Sequence, residues 1–253
     1  MNHKDIAWLT ARPIAHRGFH KASDGIIENC TQAFDAAIAH NFAIELDVQV
    51  TADGKAAVFH DYSLERLTEG TGRIDEKTLA DLAEVPFKQT SDLIMDLKAL
   101  VDHIDGRVPL VIELKPPKIE DGRLEQAVCA ALEGYTGKAA LMCFSPQSVA
   151  RLKSLTDRPR GILSLDYSKS KAEEDLGKAD PYALTHMLHV METEPDFISY
   201  NAADLPMPGV DLLKAIYDLP VICWTIKSPE SQKNALQHCD QVTFEGYNPD
   251  KMT

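Results

Sequence analysis

Ala43-Ile44-Glu45-Leu46-Asp47-Val48-Gln49-Val50-Thr51-Ala52-Asp53-Gly54-Lys55-Ala56-Ala57-Val58-Phe59-His60 reads as two short strands joined by four residues. A parallel crossover needs a dozen residues or more, so these strands must be antiparallel. Asp53-Gly54 closes the turn, a pair that accepts the left-handed backbone a hairpin demands. Counting back from the turn sets His60 opposite roughly Glu45 to Asp47. Glu45 and Asp47 are two apart and share one face of their strand. Two carboxylates on an inner face repel unless a cation lies between them. The plain alternative is an outward pair on a solvated strand.

Outward from this hairpin, apolar runs alternate with helical patterns along the 253 residues. Strands are expected over 13–16, 43–48, 56–60, 110–114, 140–144, 161–165, 197–200, 221–225 and 241–244. Helices are expected over 29–40, 92–104, 124–132, 147–155, 182–191, 209–216 and 229–238. Nine strands are one too many for an eight-stranded barrel, and the hairpin's return strand is the extra one. The expected fold is therefore α/β, a TIM-type (β/α)8 barrel with a β-hairpin after its second strand. Residues 61–91 break the rhythm, with Gly70, Gly72 and Pro86, and read as a small insertion over the barrel mouth. Residues 1–253 are expected to form one domain.

Charge and cysteine usage narrow the function classes. The formal net charge is -13, which disfavours nucleic acid and anionic membranes as partners. An anionic substrate would need local positive charge. The five cysteines, Cys30, Cys129, Cys143, Cys223 and Cys239, show no metal-binding spacing and suit a reducing cytoplasm. The N-terminal residues lack an apolar leader core, and no apolar run reaches the ~18 residues of a membrane helix. A cytoplasmic protein with no stable membrane association is the expectation.

Four further fragments bring chemistry to strand ends. Ile14-Ala15-His16-Arg17-Gly18 supplies a histidine and an arginine. Glu28-Asn29 stands before the first helix, Asn29 as its cap and Glu28 as support for His16 or Arg17. His60 is followed by Asp61. Leu110-Val111-Ile112-Glu113-Leu114-Lys115 ends a buried strand with Glu113 and Lys115 on one side, where the plain alternative is a rim ion pair. Histidines move protons near neutral pH, carboxylates hold hard cations, and Arg and Lys neutralise phosphate oxygens. Trp224 ends an apolar strand and is either a pocket wall or barrel packing. His3, His20, His40, His103, His186, His189 and His238 lack comparable company.

In this order and spacing, His16-Arg17-Gly18, Glu28-Asn29-x-Thr31, Glu45-x-Asp47, Thr51-Ala52-Asp53-Gly54, Phe59-His60-Asp61, Glu113-x-Lys115 and Trp224-Thr225-Ile226 resemble the glycerophosphodiester phosphodiesterase family. The resemblance implies catalysis by His16 and His60, and a divalent cation, Mg²⁺ or Ca²⁺, on Glu45, Asp47 and Glu113. It implies substrate binding by Arg17, Lys115 and Trp224. The implied reaction converts a glycerophosphodiester, such as glycerophosphocholine or glycerophosphoethanolamine, to sn-glycerol 3-phosphate and an alcohol. A lysophospholipase D-type hydrolase is the alternative enzyme, and a phosphoglycerol-binding barrel without turnover is the non-enzymatic one. Which histidine is acid and which is base stays open. One departure is Glu245, where the family usually has Asp, and it bears on the shape of the substrate end.

Overall fold

The computed structural model describes residues 6–169 and 179–251. His3 and the N-terminal residues read for a leader lie outside them. Nine strands form: β1 (Ile14–Ala15), β2 (Ala43–Val50), β3 (Ala56–Val58), β4 (Leu110–Leu114), β5 (Ala139–Cys143), β6 (Arg160–Ser164), β7 (Phe197–Asn201), β8 (Val221–Ile226) and β9 (Gln241–Phe244). They hydrogen-bond in the order β1-β9-β8-β7-β6-β5-β4-β2-β3, and β1 also pairs with β2. Eight strands thus close a parallel barrel, with β3 outside the ring. Every residue of β2, β4, β5 and β6 is buried, as expected of parallel strands covered on both faces.

The described residues fall into two compact units, one of residues 14–141 and one of those before and after it. In the first, β2 is the organiser. It runs parallel to β1, with Ile14 beside Ala43, and parallel to β4, with Asp47 beside Glu113. β3 returns antiparallel to it, with Val48 beside Val58. Three helices fill the connections: α1 (Thr31–Ala39), α2 (Leu79–Ala83) and α3 (Leu97–Ile104), with α4 (Arg123–Ala131) following β4. The 61–91 segment is no floppy loop. Leu64, Ile74, Leu82 and Phe87 join Ile27, Ala33, Ala57 and Phe59 in one apolar cluster.

In the second unit, β6, β7, β8 and β9 pair in parallel, Tyr200 lying beside Cys223 and Asn201 beside Trp224. Helices α5 (Pro146–Leu155), α6 (Pro181–Thr185), α7 (Val190–Thr193), α8 (Pro208–Tyr217) and α9 (Pro229–Ala235) accompany them. All five cysteines are free thiols. Among the described residues no helix is long and apolar enough to cross a membrane.

Three expected helices are corrected. The one over 92–104 begins only at Leu97, because the preceding residues pair with the outer edge of β3 instead. Ala57 bridges Asp96, and the Val58 N–H donates to the Met95 carbonyl at 2.8 Å. An open strand edge competes for backbone groups, and here it wins over helical periodicity. The helix over 182–191 is two pieces, α6 and α7, separated by Met187 in the left-handed region (φ 53°). The first helix starts at Thr31 rather than 29, and its cap position is Cys30.

Candidate active site

Register alone assembles the acidic centre. Glu45 and Asp47 share a face of β2, and the parallel pairing sets Glu113 of β4 directly beside Asp47. One carboxylate oxygen from each of the three lies within 4.8 Å of the others. All three are buried, Glu45 and Asp47 at 1% exposure. Burial, then Asp47 and Glu113, hold the Glu45 pKa well above the carboxylate range. Asp47 goes the other way: burial works against its charge, but Lys115, His60 and Arg17 keep its pKa low.

The cations sit among these acids. Lys115 Nζ lies 2.5 Å from Glu113 Oε1 and 3.3 Å from Asp47 Oδ1. Burial opposes its charge, yet Glu113 and Asp47 hold its pKa above the ordinary value. Arg17 follows β1 in a left-handed turn (φ 53°) with Gly18 (φ 80°) behind it. Its backbone N–H donates to Glu45 Oε2 at 2.9 Å, and its guanidinium reaches Glu28 Oε1 at 2.6 Å and Asp47 Oδ2 at 3.3 Å. A Cβ on Gly18 would come within 2.8 Å of the Ala33 Cβ, so only glycine permits this close approach to α1.

The two histidines arrive from different elements. His16, after β1, has Nε2 4.0 Å from Glu45 Oε2. His60, after β3, follows Phe59, whose N–H donates to the Asp47 carbonyl at 3.1 Å, so the hairpin register continues to the site. Its Nδ1 lies 2.7 Å from Asp61 Oδ1. Burial holds the His60 pKa below its ordinary value despite Asp47. Asp61, in turn, keeps a low pKa against burial through Arg66 and His60. An ionised carboxylate only accepts, so Nδ1 carries a proton, and in the neutral imidazole Nε2 then holds the lone pair.

Sequence reasoning missed two supporting residues, Gln49 and Arg66, and gave two others, Asn29 and Asp61, no such role. Asn29 is not the cap of α1. It takes the left-handed region (φ 54°), and its Nδ2 donates to Asp47 Oδ2 at 2.8 Å. Gln49 sends Nε2 to the carbonyls of Phe59, His60 and Asp61 at 3.0, 3.1 and 2.5 Å. Asp61 and Arg66 complete the set, Arg66 binding both Asp61 and Glu28. The usable signals in the sequence were the i+2 spacing of Gln49 from Asp47 and the place of Asp61 directly after His60. Trp224 belongs to the other unit, where its ring meets Phe144 edge-on at 5.6 Å. Glu245, in that same unit, pairs with Lys227 at 2.7 Å.

Fold and site define a class: a parallel (β/α)8 barrel whose strand ends gather three carboxylates, two cationic side chains and two histidines. The chain belongs to the glycerophosphoryl diester phosphodiesterase family, whose model matches residues 16–242. It is 40% identical over 130 residues to a glycerophosphodiester phosphodiesterase of Caldanaerobacter subterraneus, covering 48% of this chain and 52% of that protein. It is 28% identical over 166 residues to one of Bacillus subtilis, covering 56% and 55%. The chain thus spans about half the length of these curated relatives. Among solved structures, its fold is similar to that of an Oleispira antarctica phosphodiesterase in complex with the product sn-glycerol-3-phosphate. There the TM-score is 0.76 at 21% identity, with 94% of each chain covered.

Proposed function

We propose that this chain hydrolyses glycerophosphodiesters to sn-glycerol 3-phosphate and an alcohol such as choline or ethanolamine. The observation that carries the reading is the convergence, within residues 14–141, of the Glu45–Asp47–Glu113 cluster, the Arg17 and Lys115 cations and the His60–Asp61 pair. The donor set fits one hard divalent cation, Mg²⁺ or Ca²⁺, because all three candidate ligands are carboxylate oxygens. Glu45 Oε1 is buried with no hydrogen-bond partner among the described residues, as an oxygen kept for a cation would be. When bound, such a cation offsets the negative charge that grows on the phosphoryl oxygens.

The side chains supply the rest. Arg17 and Lys115 hold phosphate oxygens, Arg17 as a planar fork and Lys115 as a point charge. His60 takes a proton from the attacking oxygen on Nε2, while Asp61 fixes the proton on Nδ1. His16 gives a proton to the leaving alkoxide, a poor leaving group otherwise. The attacking oxygen belongs to water or to the glycerol 2-hydroxyl. In the second route a cyclic phosphate forms first, and water then opens it. Trp224 of β8 is read as a wall against the glycerol carbons from its place on that strand, with barrel packing as the alternative. Five free thiols suit a cytoplasmic setting.

The test measures release of sn-glycerol 3-phosphate from glycerophosphocholine with chelator, then with Mg²⁺ or Ca²⁺ restored. Glu45→Gln and His60→Asn are run beside the native chain. Metal-restored release that falls at least 10²-fold in both variants supports the reading. Release only from lysophosphatidylcholine would replace the substrate class with lysophospholipids. Tight binding of glycerophosphocholine without release would make the barrel a binding protein.

A further inference from the structure

We propose that Arg66, on the 61–91 excursion, is a positioning residue that sets the His60 tautomer and the aim of Arg17 with one guanidinium. This rests on the functional reading above. Its Nε and Nη2 donate to Asp61 at 2.5 and 2.9 Å, and its Nη1 and Nη2 donate to Glu28 at 3.0 and 2.7 Å. Each carboxylate then passes the constraint on. Asp61 Oδ1 meets His60 Nδ1 at 2.7 Å, and Glu28 Oε1 meets Arg17 Nη1 at 2.6 Å. The chain His60–Asp61–Arg66–Glu28–Arg17 therefore runs without a gap between a proton-transferring group and a phosphate-binding one.

Isolated surface ion pairs contribute little, but this one differs in two respects. The Glu28 and Asp61 side chains are only 13% and 21% exposed, and the fork engages both carboxylates at once. A lysine cannot reproduce that two-sided, planar geometry. The backbone is fixed as well. Arg66 sits in a turn where the Thr68 N–H donates to the Leu64 carbonyl at 3.0 Å, and the Leu64 N–H donates to Gly72 at 3.1 Å. Leu64 belongs to the same apolar cluster as Phe59 and Ile27, with Leu67 packed against it. Phe59 precedes His60 and Ile27 precedes Glu28, so one cluster registers the three backbone points that the ion network joins. The excursion thus supports the acid/base machinery, beyond any part in substrate choice.

The network gives Asp61 a reason to stay turned toward His60. Without Arg66, the Asp61 carboxylate keeps only the neutral imidazole as a side-chain partner among the described residues and is free to rotate to solvent. The imidazole proton then has no preference for Nδ1, and the neutral tautomer with Nε2–H has no lone pair on Nε2 to take a proton there. Glu28 loses its second cation in the same step, and Arg17 follows it.

The experiment compares native protein, Arg66→Gln and Arg66→Lys in the presence of Mg²⁺. The kcat for glycerophosphocholine is expected to fall about 10- to 100-fold in Arg66→Gln, the usual cost of losing an orienting partner, with KM raised and Arg66→Lys only partly restored. Nitrogen-15 spectra of the imidazoles, with His60 assigned by loss of its signals in His60→Asn, are expected to show Nδ1–H alone in the native protein and a mixture in Arg66→Gln. In an Asp61→Asn, Glu28→Gln background, Arg66→Gln should cost less than twofold further, because its effect passes through those carboxylates. Native-like kcat with an unchanged tautomer, or a full further loss in that background, overturns the proposal. If the native chain turns over no diester, the functional reading fails, while the His60 spectra still decide what Arg66 does.

Discussion

Asn29 shows how one backbone angle redirects a side chain. Its N–H donates to the Arg17 carbonyl at 2.9 Å, which fixes the left-handed turn (φ 54°) and swings the amide onto Asp47. An Asn just before a helix reads as a cap because that is where the residue type is most often useful. Nothing local marks the sign of φ, so this residue was legible as polar and turn-forming but not as a partner of Asp47. Asn29→Ala is expected to weaken Mg²⁺ or Ca²⁺ binding by about 10- to 100-fold, since Asp47 loses the donor that orients it. Calorimetric titration of the cation checks this, and unchanged affinity would show that the amide does not hold the carboxylate.

At the scale of elements, the β2–β3 hairpin was readable because two independent constraints agree. The period-two pattern fixes which residues share a face, and a four-residue turn fixes the offset. The start of α3 was not readable, because an unpaired strand edge captured residues 95 and 96, and an edge has no signature in the captured segment. Two glycines separate backbone strain from close packing. Gly54 sits in the turn (φ 72°) with no described residue but its chain neighbours within 4 Å of its missing Cβ, so Gly54→Ala should cost only ~1 kcal/mol, from the left-handed backbone. Gly18 (φ 80°) adds a clash with Ala33, so Gly18→Ala should cost about 2–4 kcal/mol and displace Arg17. Urea midpoints and glycerophosphocholine turnover test the pair. Near-native turnover is expected for Gly54→Ala, and a drop of at least tenfold for Gly18→Ala.

The molecule as a whole carries a formal charge of -13, and buries three carboxylates of that excess in one cluster. A cation that binds the folded form alone stabilises it by ~2.7 kcal/mol at a hundredfold excess over Kd. Mg²⁺ or Ca²⁺ should therefore raise the Tm of the native chain beyond the effect of NaCl at equal ionic strength, and the extra rise should vanish in Glu45→Gln. Acid stability has a separate determinant in His189, whose Nδ1 is buried without a hydrogen-bond partner among the described residues. Burial pulls its pKa from 6.5 to about 4. The folded protein thus binds fewer protons than the unfolded chain, so this contribution is complete above pH 6.5 and is lost as pH falls toward 4. Urea midpoints of His189→Gln should decline less than those of the native chain between pH 7 and pH 4.5. Parallel declines would refute it.

The sequence by itself determined the strand rhythm, the hairpin, and the placing of Glu45 and Asp47 on one face of a strand and of Glu113 near the end of another, because side-chain alternation and turn length are local properties. It also carried the family resemblance, because the motifs lie at strand and turn positions that the chain must present in order. The tertiary structure alone decided that Asn29 serves Asp47, that Gln49 holds the backbone of residues 59–61, and that Arg66 joins Asp61 to Glu28. Arg66 and Glu28 are 38 residues apart, and they meet because a shared apolar cluster folds the intervening chain back on itself. Burial of that kind is a sum over many distant side chains, and no short stretch of sequence contains it.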